Sequence, residues 1–272
     1  MPVIKALLLT SLLLCWSTLV ANVSANPAPI AADNNAESSQ SQSSSTQAHT
    51  DDKAQEDEAQ LTKAQLAQIN NLYQQPASSS ALEALAQQLN LQADTRGQFL
   101  QQRHLAVLKK PLQSQGRFIF SPSQGLVWQQ LKPFNSLMVL KDQQLTQQNS
   151  QGKVQQLSSA ASGNPIAQQL PRLLQAIMAG DINALSADFR LFMPTETTGS
   201  VWQFGLQAKD PQVHAAMGNI TLSGDKHIRT LIMTSQQTDI SDYTYIQFTN
   251  TEQGPLSNSE LALFSLSSGL AQ

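Results

Sequence analysis

The chain has 272 residues, a formal net charge of −3 and 13% charged side chains, which excludes a protein that grips nucleic acid through a broad basic surface. Glutamine supplies about one residue in seven, so solubility rests on neutral polar groups and recognition has to be sought in apolar side chains. A single cysteine, Cys15, excludes a disulfide framework and cysteine-based metal sites and leaves a hydrophobic core as the source of stability.

Residues 1–25 contain the three parts of a cleavable signal peptide: Lys5 at the start, an apolar run over 6–20, and the small-residue end Val23-Ser24-Ala25. The apolar run is shorter than the roughly 20 residues of a bilayer span, so cleavage near Asn26 is expected rather than anchoring. Leu12-Leu13-Leu14 lacks the small residue that precedes a lipidated cysteine, so Cys15 is expected to leave with the signal. What remains carries 15 basic and 19 acidic residues. Residues 26–58 are Ala, Ser, Gln, Asn, Asp and Glu with hardly a large apolar side chain, and read as a disordered leader to a domain at 59–272.

Helical spacing begins with Leu61, Leu66, Ile69 and Leu72 and resumes behind Ser80, a plausible N-cap, with Leu82, Leu85 and Leu89; this predicts one amphipathic helix ahead of the strands. Short runs rich in Val, Ile, Phe, Leu and Trp follow at 99–108, 117–121, 126–131 and 137–141, separated by Gly, Pro and Ser, and predict a meander of hairpins. A polar interval covers 147–164. Leu170, Leu173, Leu174, Ile177 and Met178 then recur at helical spacing up to Gly180, a candidate C-terminal cap, and Asp181 is placed to cap a short helix through Leu185. Strands are predicted at 202–208, 219–223, 227–234 and 243–249, with Gly224-Asp225 as a hairpin turn, and a last one at 261–266. The order predicts an α+β fold, one curved antiparallel sheet with helices packed on one side, and no internal repeat argues for two domains.

Chemistry-bearing patterns are missing. His49, His104, His214 and His227 do not pair at ligand spacing, and there is no Gly-x-Ser-x-Gly elbow, His-Glu-x-x-His, phosphate loop or tight cluster of acids. Asp225 and His227 flank one turn position, for which a solvated turn is the plain reading and a hydrolytic pair the alternative. No cofactor or metal is implied, and no enzyme is expected.

The strands are apolar on both faces: Phe118 and Phe120 against Ile119, then Leu126 and Trp128 against Val127 and Leu131. Either both faces are ordinary core, or helices seal one and the other lines a cavity suited to acyl chains. Parity alone leaves open whether Phe118 with Phe120, or Arg117 with Ile119, faces such a cavity. The helix of Leu173, Leu174, Ile177 and Met178 has the same two readings, core or lid. Met178, Met193, Met217 and Met233 suit an adaptable apolar surface or simple gap filling.

Phe99 and Gln102, Gly116, Phe118-Ile119-Phe120, Ser121-Pro122, Leu126-Val127-Trp128, Pro133 and Leu137-Met138-Val139 resemble the opening half of LolA-like proteins, the periplasmic carriers of outer-membrane lipoproteins. Trp202 to Leu206, Gly224-Asp225, Ile228 to Ile232, Ile246-Gln247-Phe248 and Leu263-Phe264 resemble their later strands. The resemblance implies an incomplete, half-open antiparallel β-barrel, hydrophobic inside, with helices as a lid. It implies a lipid-binding cavity lined by Phe118, Phe120, Leu126, Trp128, Leu137, Val139, Trp202, Phe204 and Leu206, under a lid of Leu173, Leu174, Ile177 and Met178. Implied partners are the acyl chains of a lipoprotein or lipid, with an inner-membrane donor and an outer-membrane acceptor protein, for a monomer in the periplasm of a Gram-negative bacterium.

In LolA an arginine precedes the proline of the Pro-to-Trp turn and holds the lid; here that position is Ser121. The long leader and Lys109-Lys110-Pro111-Leu112 also resemble LolA-like proteins found alongside fatty-acid-type or aryl polyene synthesis, for which the cargo is a lipid product. Two further functions are compatible with the fold: an envelope interaction or regulatory module, and a hydrolase built on Asp225, His227 and a serine.

Overall fold

The computed structural model describes residues 61–88, 93–142, 144–157, 173, 176–177, 181–195, 201–235 and 242–267. The signal peptide, the leader, Leu89, Leu170, Leu174, Met178 and the cap at Gly180 lie outside these residues.

Two helices lead, α1 (Lys63–Leu72) and α2 (Ser79–Gln88). Six strands follow: β1 (Thr95–His104), β2 (Leu112–Ser121), β3 (Gly125–Lys132), β4 (Ser136–Lys141), β5 (Gln144–Gln148) and β6 (Val154–Leu157). After α3 (Ile182–Asp188) come β7 (Phe189–Phe192), β8 (Trp202–Ala208), α4 (Pro211–Met217), β9 (Asn219–Gly224), β10 (Ile228–Thr234) and β11 (Tyr243–Gln253). The chain then forms α5 (Asn258–Leu263) and a 3₁₀ turn (Phe264–Ser267). All eleven strands form one antiparallel sheet in the order β6-β5-β4-β3-β2-β1-β11-β10-β9-β8-β7. The sheet is open, because β6 and β7 end the order without pairing, and the expected α+β half-barrel is what the chain forms.

Local chemistry sets the helix ends. Thr62 and Gln65 form a reciprocal capping box on α1, with Thr62 Oγ1 accepting the Gln65 amide at 3.2 Å and Gln65 Oε1 accepting the Thr62 amide at 2.9 Å. The cap of α2 is Ser78, whose Oγ accepts the Ala81 amide, rather than Ser80. Asp210 caps α4 ahead of Pro211, and Gly218 ends it at φ 68°, where a Cβ would run into the Thr234 carbonyl.

Several expectations are corrected. Two helices, not one, precede the strands, because Pro76 breaks the run and bridges to Phe192. The last predicted strand is α5 and its 3₁₀ turn: Ser257 and Glu260 form a capping box, and the apolar residues behind it follow helical spacing. The polar interval contains β6, while β5, β7 and α4 were not anticipated. Helices pack on both faces of the sheet rather than on one.

Paired residues share a face, so the ladder sorts every side chain. One face carries Phe120, Leu126, Leu140 and Leu145 in successive register, and Phe204, Leu222 and Leu231 at the other end. On this face Phe118 and Phe120 of β2 and Ile228 of β10 border one small cleft although β1 and β11 lie between them, so the sheet curls toward it. We call it the inner face. Leu173 and Ile177, Leu85 of α2, Ile182 and Leu185 of α3, and Val213 and Met217 of α4 pack there against Trp202, Phe204, Leu206 and Ile220.

The outer face is closed in two places. At one, Leu72 and Tyr73 at the end of α1 approach Gly205 of β8 so closely that an added Cβ would sit 3.1 Å from Leu72 Cδ2. The Tyr73 hydroxyl hydrogen-bonds Thr221 Oγ1 at 2.9 Å, and burial raises its pKa above the ordinary tyrosine value. At the other, Phe264, Leu263 and Leu256 pack on Ile119, Val127 and Val139. Arg96 ties this segment to β1, donating to the Gly254 and Pro255 carbonyls at 2.8 Å each and pairing with Glu260 at 3.4 Å.

Phe264 is almost fully buried and is the main plug of its cluster. Phe264→Ala is expected to lower unfolding stability by about 3–5 kcal/mol, the range for emptying a buried phenylalanine site, as read from urea denaturation. His104 stacks on Tyr243 with ring centroids 4.2 Å apart, and burial lowers its pKa below the ordinary 6.5. The unfolded chain therefore takes up a proton that the folded one resists, so stability is full above pH 6.5 and declines as pH falls below it toward the depressed value. His104→Phe is expected to flatten that part of the stability–pH curve.

Candidate functional site: an apolar wall on the inner face

Two reciprocal glycine–phenylalanine pairs organise the centre of the inner face. Gly97 lies opposite Phe118 and Phe99 opposite Gly116 across the β1–β2 ladder. A Cβ on Gly97 would stand 2.7 Å from the Phe118 ring, and one on Gly116 would stand 2.8 Å from the Phe99 ring and strike the Gln129 carbonyl. Each ring thus lies flat over backbone that has no side chain to push it away. Phe99 stacks on Trp128 with centroids 3.9 Å apart, Phe118 meets Phe248 edge-on at 5.3 Å, and Trp128 meets Phe248 at 6.1 Å. Four aromatic rings from β1, β2, β3 and β11 therefore form one continuous panel.

Apolar side chains extend the panel both ways. Toward β5 it continues through Phe120, Leu126, Leu140, Leu145 and half-buried Met138. Toward β7 it continues through Ile246, Leu231, Leu222, Phe204 and Leu206. Helices pack on this second half, whereas no described helix residue joins the cluster of Phe120, Leu126, Leu140 and Leu145. Among the paired inner positions, Arg103 at the end of β1 is the one charged residue.

Close to that end the wall turns polar but stays neutral. Gln101 pairs with Ser114, Gln130 pairs with Gly116 beside them, and all three side chains are buried. Neither Gln130 side-chain atom has a hydrogen-bond partner among the described residues, nor does Ser114 Oγ. An unmet buried polar group costs about 1–3 kcal/mol, which a bound polar atom would relieve. At the opposite end, Thr95, Phe118, Phe120, His227, Ile228, Phe248 and Thr251 border a cleft of about 30 Å³.

Of the residues expected to line a cavity, Phe118, Phe120, Leu126, Trp128, Trp202, Phe204 and Leu206 share the inner face. Leu137 and Val139 do not: they point outward and pack under Phe264, and Met138 and Leu140 take the inner positions. Leu173 and Ile177 of the expected lid are buried against the β8–β9 part of the wall, with Met193, Met217 and half-buried Met233 in the same cluster. Phe99, Phe248, Gly97 and Gly116 were not on the expected list, although a Gly-x-Phe in one strand and a Gly-x-Phe in the next is a readable sign of such cross-strand pairing. Ser121 faces outward and serves its own turn, contacting Ser123 Oγ at 3.1 Å and accepting the Gln124 amide at 3.3 Å.

The Asp225 turn is structural in its contacts. Its carboxylate takes the Arg229 guanidinium at 2.5 Å, and that hydrogen bond holds its pKa well below the usual carboxylate range. Its backbone carbonyl accepts Trp202 Nε1 at 2.6 Å. His227 donates only its backbone amide to Asp225, at 3.4 Å, and its Nδ1 has no partner among the described residues. No acid–base pair is assembled there, and among the described residues no group of three metal-binding side chains occurs.

The family described as outer membrane lipoprotein carrier protein LolA-like matches residues 75–248, well over half of the chain. No curated protein sequence matches. Among solved structures, a LolA superfamily protein from Nitrosomonas europaea is similar at 8% identity and a TM-score of 0.38, over 65% of this chain and 96% of that one. A putative outer membrane lipoprotein-sorting protein domain from Vibrio parahaemolyticus is similar at 10% identity and a TM-score of 0.39, over 70% of this chain and 97% of that one. The MucA/MucB complex of Pseudomonas aeruginosa is similar at 15% identity and a TM-score of 0.39, over 68% of this chain and 60% of the matched chain.

Gly116 tests the panel. Gly116→Ala is expected to cost about 1–3 kcal/mol of stability by overpacking, and to shift Trp128 emission as Phe99 is pushed off its stack. Urea denaturation followed by tryptophan fluorescence reads both.

Proposed function

Because the chain belongs to the LolA-like family of outer membrane lipoprotein carrier proteins, we propose that it is a periplasmic carrier that shields the acyl chains of a lipoprotein or lipid on the way to the outer membrane. The observation that carries this reading is the inner wall itself: an aromatic and aliphatic surface running across the sheet, uncharged except at Arg103. Such a wall offers nothing to a polar substrate and much to a methylene chain, at about 25 cal/mol per Å² of apolar surface removed from water.

The neutral polar row of Gln101, Ser114 and Gln130 suits the ester or amide linkage at the head of an acyl chain better than a free carboxylate. The panel is covered in this structure, with Phe99, Phe118, Phe120 and Leu126 each buried. Acyl chains therefore enter as covering elements give way, with Leu173 and Ile177 belonging to the lid. The arginine that holds the lid in LolA has no counterpart at Ser121; Leu173 and Ile177 meet the wall through apolar packing. Catalysis has no part in this reading.

Native mass spectrometry of protein isolated from the periplasm is expected to show a bound acyl species. Brominated acyl esters are expected to quench Trp128 in a Trp202→Phe background, and Leu126→Trp to weaken their binding at least tenfold by filling the wall. Absence of both the co-purified species and the quenching would sink the carrier reading.

A further inference from the structure

Seven large apolar side chains are exposed among the described residues, and five of them sit together at one end of the sheet. Val107 and Leu108 lie in the β1–β2 connection with Leu112 at its far side, and Leu131 and Phe134 lie at the β3–β4 connection. Val107 is 88% exposed and Phe134 56%. The two connections are neighbours: β2 pairs with β3, and Gln115 near the start of β2 faces Lys132 at the end of β3. Solvent-exposed apolar residues scattered singly need no explanation, but a concentration of five on adjacent hairpin tips does.

The charged side chains within the two connections are all basic. Lys109, Lys110 and Lys132 are exposed, interleaved with the apolar residues, and in no ion pair among the described residues. Neither 105–112 nor 130–136 contains an acidic residue. One described acid adjoins the β1–β2 connection, Asp242, which accepts the Ala106 amide at 2.7 Å and acts on Arg103. This local excess stands out on a chain whose net charge is −3.

We propose that the tips of the β1–β2 and β3–β4 hairpins form a docking surface for anionic lipid bilayers. Phe134, Val107 and Leu108 enter the boundary between headgroups and acyl chains, while Lys109, Lys110 and Lys132 reach back to the lipid phosphates. A lysine near an anionic surface strengthens attachment roughly fivefold. A second copy of the chain fits less well, since face-to-face tips would bring like charges together. The surface is separate from the inner wall, so this inference stands or falls independently of the carrier reading.

Vesicle flotation of the purified protein tests it. Binding is expected to vesicles of phosphatidylcholine with about 30% phosphatidylglycerol, to weaken at raised salt, and to be much poorer on phosphatidylcholine alone. Val107→Glu with Phe134→Glu is expected to lower binding at least tenfold. Lys109→Gln, Lys110→Gln and Lys132→Gln together are expected to remove the preference for phosphatidylglycerol. All five positions are exposed, so the thermal midpoint should hold. The proposal is overturned if the wild-type protein ignores phosphatidylglycerol vesicles, if both variants bind as wild type does, or if the tips instead prove to hold a protein partner in a lipid-free complex.

Discussion

An open sheet with apolar side chains on both faces has to be covered twice, and that requirement governs the rest of the architecture. The outer face is sealed at one end by α1 over Gly205 and at the other by Phe264 over Ile119, Val127 and Val139. Once those contacts are made, the chain has used its first and last described helices. The inner face is left to α2, α3, α4 and the segment of Leu173 and Ile177, which pack on its β7–β10 half. The other half carries the aromatic panel; no described helix residue joins its cluster of Phe120, Leu126, Leu140 and Leu145, although all four side chains are buried.

The panel depends on glycine for a steric reason. A strand normally lifts neighbouring side chains apart by the width of its own Cβ atoms. At Gly97 and Gly116 that spacing is missing, so Phe118 and Phe99 settle onto backbone, where Phe99 stacks on Trp128 and Phe118 meets Phe248 edge-on. An apolar panel has few points that prefer one methylene group over another, which is what the proposed carriage of acyl chains asks of it. The Gln130 amide, buried and without a hydrogen-bond partner among the described residues, marks the polar edge of the panel.

Much of the fold was legible from period and punctuation. Hairpins β2–β3 and β9–β10 follow from Ser-Pro-Ser-Gln-Gly and Gly-Asp between apolar runs, and the pairing across each is as the runs suggest. The inward parity of Phe118, Leu126 and Trp128 was not carried correctly into β4. Leu137-Met138-Val139-Leu140 is apolar at every position and shows no alternation, so its parity is set by the β3–β4 turn, which pairs Trp128 with Met138. Strands β5 and β6 consist largely of glutamine, a poor guide to strand formation, and owe their state to the ladder that β4 offers. By contrast, α4 was readable and missed: Asp210-Pro211 and Gly218 are its start and stop signals.

An open barrel has two edges, and exposed edges invite pairing with other chains. Both edge strands here have four residues, too few to template a long ladder. The β7 edge is also occupied by the α1–α2 connection, with the Ala77 amide donating to the Leu191 carbonyl at 2.9 Å and the Met193 amide donating to the Gln75 carbonyl at 3.1 Å. Gln75 adds its side chain to the Thr195 amide at 2.8 Å. Blocking an edge with irregular chain rather than with β6 keeps the sheet from closing on itself. The short polar β6 edge does the same from the other side: it ends the sheet without offering a strand that β7 could join.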